Sequence, residues 1–122
     1  MPREAGIEHR TCFLLEQAVP GTKCLKQGRN GWPDRLVLLP GGDCFFIEFK
    51  APGGRLRPDQ LVVLKMLHDR QQTVLVIDSL ADGTRLAVRA RMAEADVLAG
   101  VRQFGATHET TISALRASGC GG

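Results

Sequence analysis

The stretch Cys44-Phe45-Phe46-Ile47-Glu48-Phe49-Lys50 decides how this chain must fold. It is rich in aromatic and β-prone residues, the composition of a strand. Successive strand side chains point to opposite faces, so Phe46, Glu48 and Lys50 share one face and Phe45, Ile47 and Phe49 the other. A carboxylate and an ammonium then stand side by side at the end of an otherwise apolar strand. Burying them there costs several kcal/mol unless they are paired or hold a metal. A solvated edge strand with alternating charge accounts for the tripeptide in isolation; its neighbours point to a site.

Upstream, Asp34 follows a Gly31-Trp32-Pro33 turn and heads a second strand-like run, Arg35 to Leu39. Gly41-Gly42 supplies a hairpin turn, because glycine adopts positive φ at little cost. In an antiparallel pair joined there, Asp34 and the Glu48/Lys50 pair fall at the same end, far from the turn. Two carboxylates and a lysine converging in this way resemble a hard-metal site, in which oxygens bind Mg²⁺ or Mn²⁺.

Downstream, Ala51 to Pro58 reads as a loop by its Pro and Gly content, with Arg55 and Arg57 as cations able to meet a phosphate backbone. Pro58 suits the first turn of a helix and Asp59 its positive dipole end. That helix is expected to reach about Gln71, with Gln60, Val63, Leu64 and Leu67 on one face. The Gln60 amide thus lies on the apolar side near Lys50 and needs partners. Thr73 to Asp78 shows no alternation, which predicts a central strand covered on both faces and a right-handed β-α-β crossover.

A helix is expected over residues 4–18, where Ile7, Thr11, Leu14, Leu15 and Ala18 form an apolar stripe that ends before Pro20-Gly21. Glu8 borders that stripe, either as a surface glutamate or as a third carboxylate reaching the metal site. Thr22 to Lys26 reads as a short strand. Lys23, Lys26 and Arg29 then place three cations before Asp34, in a segment that could be a phosphate-binding loop or a solvated turn. Trp32 is expected to pack beneath that loop. Beyond Asp82-Gly83, Arg85 to Val88 reads as a strand or the start of a helix, and Met92 to Arg102 as a helix. A polar tail from residue 105 carries a possible short helix over 112–117. Leu86, Val88, Met92, Val97, Leu98 and Val101 would either cap the sheet of their own chain or form part of a dimer surface.

With 122 residues and 43% hydrophobic composition, one domain spanning 1–122 with a real core is expected, its motifs within about 4–80. The net charge of +3, carried mostly by arginine, permits nucleic-acid binding. Four cysteines and three histidines lack finger spacing, so no zinc site is expected. No signal-like segment or membrane-length apolar run is present, so an intracellular, cytoplasmic setting with free thiols is expected, with no membrane partner.

Glu8 on a first helix, Gly31-Trp32-Pro33-Asp34, Glu48-Phe49-Lys50 and Gln60 after a Gly/Pro loop together resemble the VRR-NUC family of the PD-(D/E)xK, restriction-endonuclease-like nucleases. The likeness is to the stand-alone, minimal members, including bacterial or phage-encoded ones. It implies an α/β core with a mixed sheet flanked by helices in the order α-β-β-β-α-β, and a metal-dependent DNA endonuclease. By position, Asp34, Glu48 and the Phe49 carbonyl would ligate Mg²⁺ or Mn²⁺, with Glu8 completing or orienting the site. Lys50 would serve the attacking water and the phosphate charge, and Gln60 would orient Lys50 or the water. Lys23, Lys26, Arg29, Arg55 and Arg57 are the DNA-contact candidates. The likeness further implies a homodimer acting on branched DNA such as four-way (Holliday) junctions. The alternative is a restriction-like module that has lost catalysis and serves DNA binding or assembly.

Overall fold

The computed structural model describes residues 3–108. The elements run α1 (Glu4–Ala18), β1 (Lys23–Lys26), β2 (Arg35–Leu38), β3 (Cys44–Phe49), α2 (Pro58–Asp69), β4 (Val74–Ile77), α3 (Leu80–Met92) and α4 (Val97–His108). The expected α-β-β-β-α-β order is present, followed by two more helices. The strands lie in the order β1-β2-β3-β4, with β1, β2 and β3 antiparallel and β4 parallel to β3. The result is a mixed sheet, an α/β fold of the restriction-endonuclease-like kind.

Alternation along β3 partitions the core. Phe45, Ile47 and Phe49 pack with Ile7 and Leu15 of α1, Leu86 and Ala90 of α3, and Val101 and Phe104 of α4. Phe46 faces the other way, onto Leu64 and Leu67 of α2. Helices therefore cover both faces, α1, α3 and α4 on one and α2 on the other. Glu48 and Lys50 follow Phe46 on the α2 side, as the period of two requires.

Three expectations change. β4 has both faces covered, Val74 on the α2 side and Leu75 and Ile77 on the other, but it pairs only with β3 and is not central. Coverage by helices, not strand neighbours, makes it uniformly apolar. The helix near Arg85 begins earlier, because the Ser79 hydroxyl accepts the Asp82 N–H at 3.0 Å and caps α3. The expected helix from Met92 to Arg102 is interrupted after Met92, and Asp96 restarts α4 by accepting the Ala99 N–H. Of the candidate dimer residues, Leu86, Leu98 and Val101 are buried in this chain's own core, whereas Val88 and Met92 are exposed. The short helix expected over 112–117 lies outside the described residues.

Helices α1 and α3 touch at Thr11 and Gly83. A Cβ built on Gly83 would stand 2.0 Å from Thr11 Oγ1 and 3.2 Å from Thr11 Cβ. Rotating the threonine cannot clear both. An alanine at an ordinary helical glycine gains about 1 kcal/mol; here Gly83→Ala should instead cost about 1–3 kcal/mol by overpacking. The buried Thr11 hydroxyl has no hydrogen-bond partner, so Thr11→Ala should be nearly neutral alone and should restore most of the loss in the Gly83→Ala background. Denaturant melts of the two single variants and the double variant measure this; additive losses would refute it.

Candidate active site

The site forms where β2 begins and β3 ends. Gly31 turns the chain at φ +80°, and a Cβ there would meet the Asp59 carbonyl oxygen at 3.1 Å, so the Gly31-Trp32-Pro33 turn seats against the first turn of α2. Trp32 meets Phe46 edge-on at 6.3 Å between ring centroids, and the Arg29 guanidinium lies 5.3 Å from the Trp32 ring centroid. Trp32 packs beneath its loop, as expected. The turn delivers Asp34, whose Oδ2 accepts the Phe49 N–H at 2.7 Å. Because Arg35 pairs with Ile47, Asp34 comes level with Glu48.

Glu48, Lys50 and Gln60 are all buried, at 2%, 8% and 5% exposure. Gln60 Nε2 donates to Glu48 Oε2 at 2.8 Å, and Lys50 Nζ stands 3.7 Å from the same oxygen. Gln60 Oε1 accepts the Arg57 backbone N–H at 2.8 Å, the glutamine half of a capping box at the start of α2. One amide thus closes the helix end with its oxygen and holds a carboxylate with its nitrogen. The sequence placed Gln60 toward Lys50 or a water; its partner is Glu48. The Lys50 N–H donates to the Ile77 carbonyl, tying the strand end to β4.

Burial and the adjacent Asp34 carboxylate raise the Glu48 pKa to about 7, against the pull of Lys50. Asp34 is raised as well, chiefly by burial and by Glu8 and Glu4, with the Phe49 N–H and Lys50 opposing. Two mutually repelling, partly dehydrated carboxylates are hard-oxygen donors, and a divalent cation suits them better than protons do. Among the described residues no three His, Cys, Asp or Glu side chains converge closely enough to hold a metal by themselves. The donor set fits an ion that keeps water and phosphate oxygens in its shell, as Mg²⁺ commonly does.

Glu8 lies near Asp34, but its Oε2 accepts Arg35 Nε at 2.6 Å, while Arg35 Nη1 donates to the Cys24 carbonyl at 3.0 Å. Arg35 therefore clamps α1 to β1 and β2 and holds the Glu8 carboxylate. Sequence reading did not single out Arg35 or Glu4. Glu4, one turn before Glu8, raises both Asp34 and Glu48. The i, i+4 spacing of two glutamates on α1 was the available signal.

The cations separate. Arg29, Arg55 and Arg57 are exposed on the two loops flanking the site, with Arg57 Nε 3.2 Å from Asp59 Oδ1. Lys26 pairs in register with Arg35 at the site end of β1. Lys23 pairs with Leu38 at the opposite end, about 10 Å away along the strand, and is not brought to the site.

The model of the VRR-NUC domain family matches residues 13–81. That span includes Asp34, Glu48, Lys50 and Gln60 and begins after Glu4 and Glu8. The chain belongs to the VRR-NUC family of nuclease domains. Over 78 residues, 63% of this chain and 84% of the other, it is 46% identical to "Putative nuclease p44" of Acyrthosiphon pisum secondary endosymbiont phage 1. Among the described residues no helix is long and apolar enough to cross a membrane.

The raised carboxylates set the sign of a pH effect on stability. Between the unfolded Glu pKa and the folded value near 7, the native state binds more protons than the unfolded chain, so metal-free stability should fall as pH rises through that window and then level off. Asp34, raised in the same direction, adds to the slope. Urea midpoints of the metal-free protein from about pH 4.5 to 8 check it. Glu48→Gln should flatten the slope, and a wild-type midpoint that rises over this range would refute the assignment.

Proposed function

We propose that this protein is a divalent-metal-dependent DNA endonuclease that hydrolyses phosphodiester bonds, acting as a single domain over 1–122. The observation that carries the reading is the buried Glu48–Lys50–Gln60 set beside Asp34. An acid, an ammonium and an amide are kept out of water together, at a cost that apolar side chains would avoid. Asp34 and Glu48 would hold Mg²⁺ or Mn²⁺, with the Phe49 carbonyl as a further oxygen and Glu8 or Glu4 approaching through water. When bound, the ion would supply charge neutralisation at the phosphate and a more acidic water.

The chain's own residues would then divide the work. The Phe49 N–H holds Asp34 in one orientation and Gln60 holds Glu48, so neither carboxylate must reorganise during the reaction. Lys50 Nζ, beside Glu48 Oε2, would donate to the attacking water and to the phosphate oxygen on which charge develops. Arg29, Arg55, Arg57 and Lys26 would contact neighbouring phosphates; Lys23 would reach only a more distant arm. Family likeness favours branched substrates such as four-way junctions and a homodimer that offers one site to each of two strands.

Cleavage of single-stranded, duplex, flap and four-way DNA with Mg²⁺, Mn²⁺ or EDTA tests the reading. Junction cleavage that EDTA abolishes is expected; salt-sensitive binding with no cleavage under any metal would instead support the inactive-module alternative. Asp34→Ala should lower cleavage by about 10²–10³-fold or more while circular dichroism stays unchanged. Lys50→Ala should lose turnover while keeping DNA affinity, and Lys50→Arg should rescue it poorly, since a broad fork does not replace a compact ammonium. Full activity in Asp34→Ala or Lys50→Arg would sink the corresponding role. Light scattering decides assembly: a monomer fully active on junctions would reject the dimer.

The raised carboxylates also govern the pH profile. At low Mg²⁺, cleavage should rise with pH through about 7, because protons and the cation compete for Glu48. Raising Mg²⁺ should move the rise to lower pH. A profile indifferent to Mg²⁺ concentration would show that Glu48 is not at the metal.

A further inference from the structure

Three of the four cysteines lie within the described residues and are free thiols, and two of them lie on the adjoining elements α1 and β1. Cys12 is buried in the core on α1, and Cys24 is half-buried on β1, packed against the same core. Cys24 Sγ stands 4.0 Å from the Cys12 carbonyl oxygen across twelve residues of sequence. The Cys24 N–H is held separately, by Glu16 Oε2 at 3.0 Å, and its carbonyl by Arg35. The backbone that presents Cys24 to α1 is thus fixed from both sides. Cys44 is set apart: it pairs with Leu38, one residue out of phase with the Cys24–Val37 pair, and belongs to the opposite face of the sheet.

We propose that Cys12 and Cys24 form an oxidisable dithiol, which a hydroperoxide closes to a disulfide stapling α1 to the edge strand β1. The strand it would secure is the most exposed of the four, an edge strand of four residues. The electrostatics favour the first step. The neighbouring Cys24 side chain and the Arg35 cation lower the Cys12 pKa, against burial, Glu8 and Glu16, whereas the Cys12 side chain and burial raise Cys24. Of the two sulfurs, Cys12 is thus the one on which a thiolate is favoured.

The chemistry balances with the peroxide as the only oxidant. The Cys12 thiolate attacks one peroxide oxygen. An S–O bond forms, the O–O bond breaks, and the departing oxygen takes a proton and leaves as an alcohol, or as water from hydrogen peroxide. The Cys24 sulfur then attacks the Cys12 sulfenic sulfur. An S–S bond forms, the S–O bond breaks, and hydroxide leaves with the Cys24 proton as water. Two thiols lose two electrons in total, and the peroxide gains them.

The test uses the full chain in a Cys44→Ser/Cys120→Ser background, with the unsubstituted chain mapped in parallel. Hydrogen peroxide at a few equivalents should leave the protein two hydrogens lighter and join the tryptic peptide Thr11–Lys23 to Cys24–Lys26. The melting temperature should rise by roughly 10 °C, and dithiothreitol should reverse both changes. In Cys24→Ser the reaction should stop at a sulfenic acid on Cys12 that a carbon nucleophile traps, a readout that needs no bridge. The proposal is overturned if both thiols remain titratable after peroxide, if the bridge involves Cys44 or Cys120 in the unsubstituted chain, or if the bridged protein melts lower than the reduced one. Because none of these readouts involves DNA or metal, failure here is separate from failure of the nuclease reading.

Discussion

The arrangement of the candidate site depends on keeping Glu48 buried. A carboxylate at 2% exposure forfeits several kcal/mol of hydration, and the surrounding chain is arranged to return part of it. Lys50 supplies an opposite charge two residues along the same strand. Gln60 supplies a hydrogen bond from a different layer. That requirement fixes α2: its first turn must lie where the amide reaches Glu48 Oε2, and the same amide's oxygen then closes the helix end on the Arg57 N–H. The Gly31 turn must in turn fit against Asp59, which determines where Asp34 enters β2. Strand, helix and turn are located by one buried acid and its partners.

The compensation is incomplete. Asp34 and Glu48 repel, Glu4 adds to the negative potential at both, and Glu8 acts on Asp34. On the positive side Lys50 faces the pair, whereas Arg35 is committed to Glu8 and the Cys24 carbonyl. Burial first, and this excess after it, raise the Glu48 pKa to about 7, so near neutral pH a proton competes for a position where positive charge is wanted. A protein selected for stability alone would fill such a position with apolar side chains, which are often worth as much or more than a buried ion pair. Retaining the charge makes sense where a cation arrives and does work, and that argument supports the proposed chemistry independently of family likeness.

The sequence carried the sheet well because a strand's period of two is rigid. Once Gly41-Gly42 fixed the hairpin, the faces of Phe45 to Lys50 and the shared end of Asp34 and Glu48 followed. Gln60 was legible for the same reason, as an amide on the apolar face of a helix with a marked start. What escaped was pairing between elements distant in sequence. Nothing near Glu8 announces that Arg35, 27 residues on, will take its carboxylate. Glu4 resembled an ordinary first-turn acid stabilising a helix dipole, and its bearing on the site comes from where α1 lies over the sheet. The boundaries of α3 and α4 were misplaced because apolar residues run on across the break, which is set by the Ser79 and Asp96 caps.

The distribution of cations limits what one protomer can grip. Arg29, Arg55, Arg57 and Lys26 sit on loops and a strand end around the site, and Arg57 is partly spent on Asp59. Arg35 is engaged by Glu8 and the Cys24 carbonyl, and Lys23 lies at the other end of β1. With a net charge of only +3, few phosphates are neutralised per chain, and the affinity that counterion release can supply is correspondingly small. Two cations, the half-buried Arg35 and the buried Lys50, are withdrawn from the residues that would otherwise hold DNA. On the proposed reading, firm engagement of a branched substrate needs a second set of such contacts at fixed separation. A two-fold partner would supply that set without adding any charge to the chain.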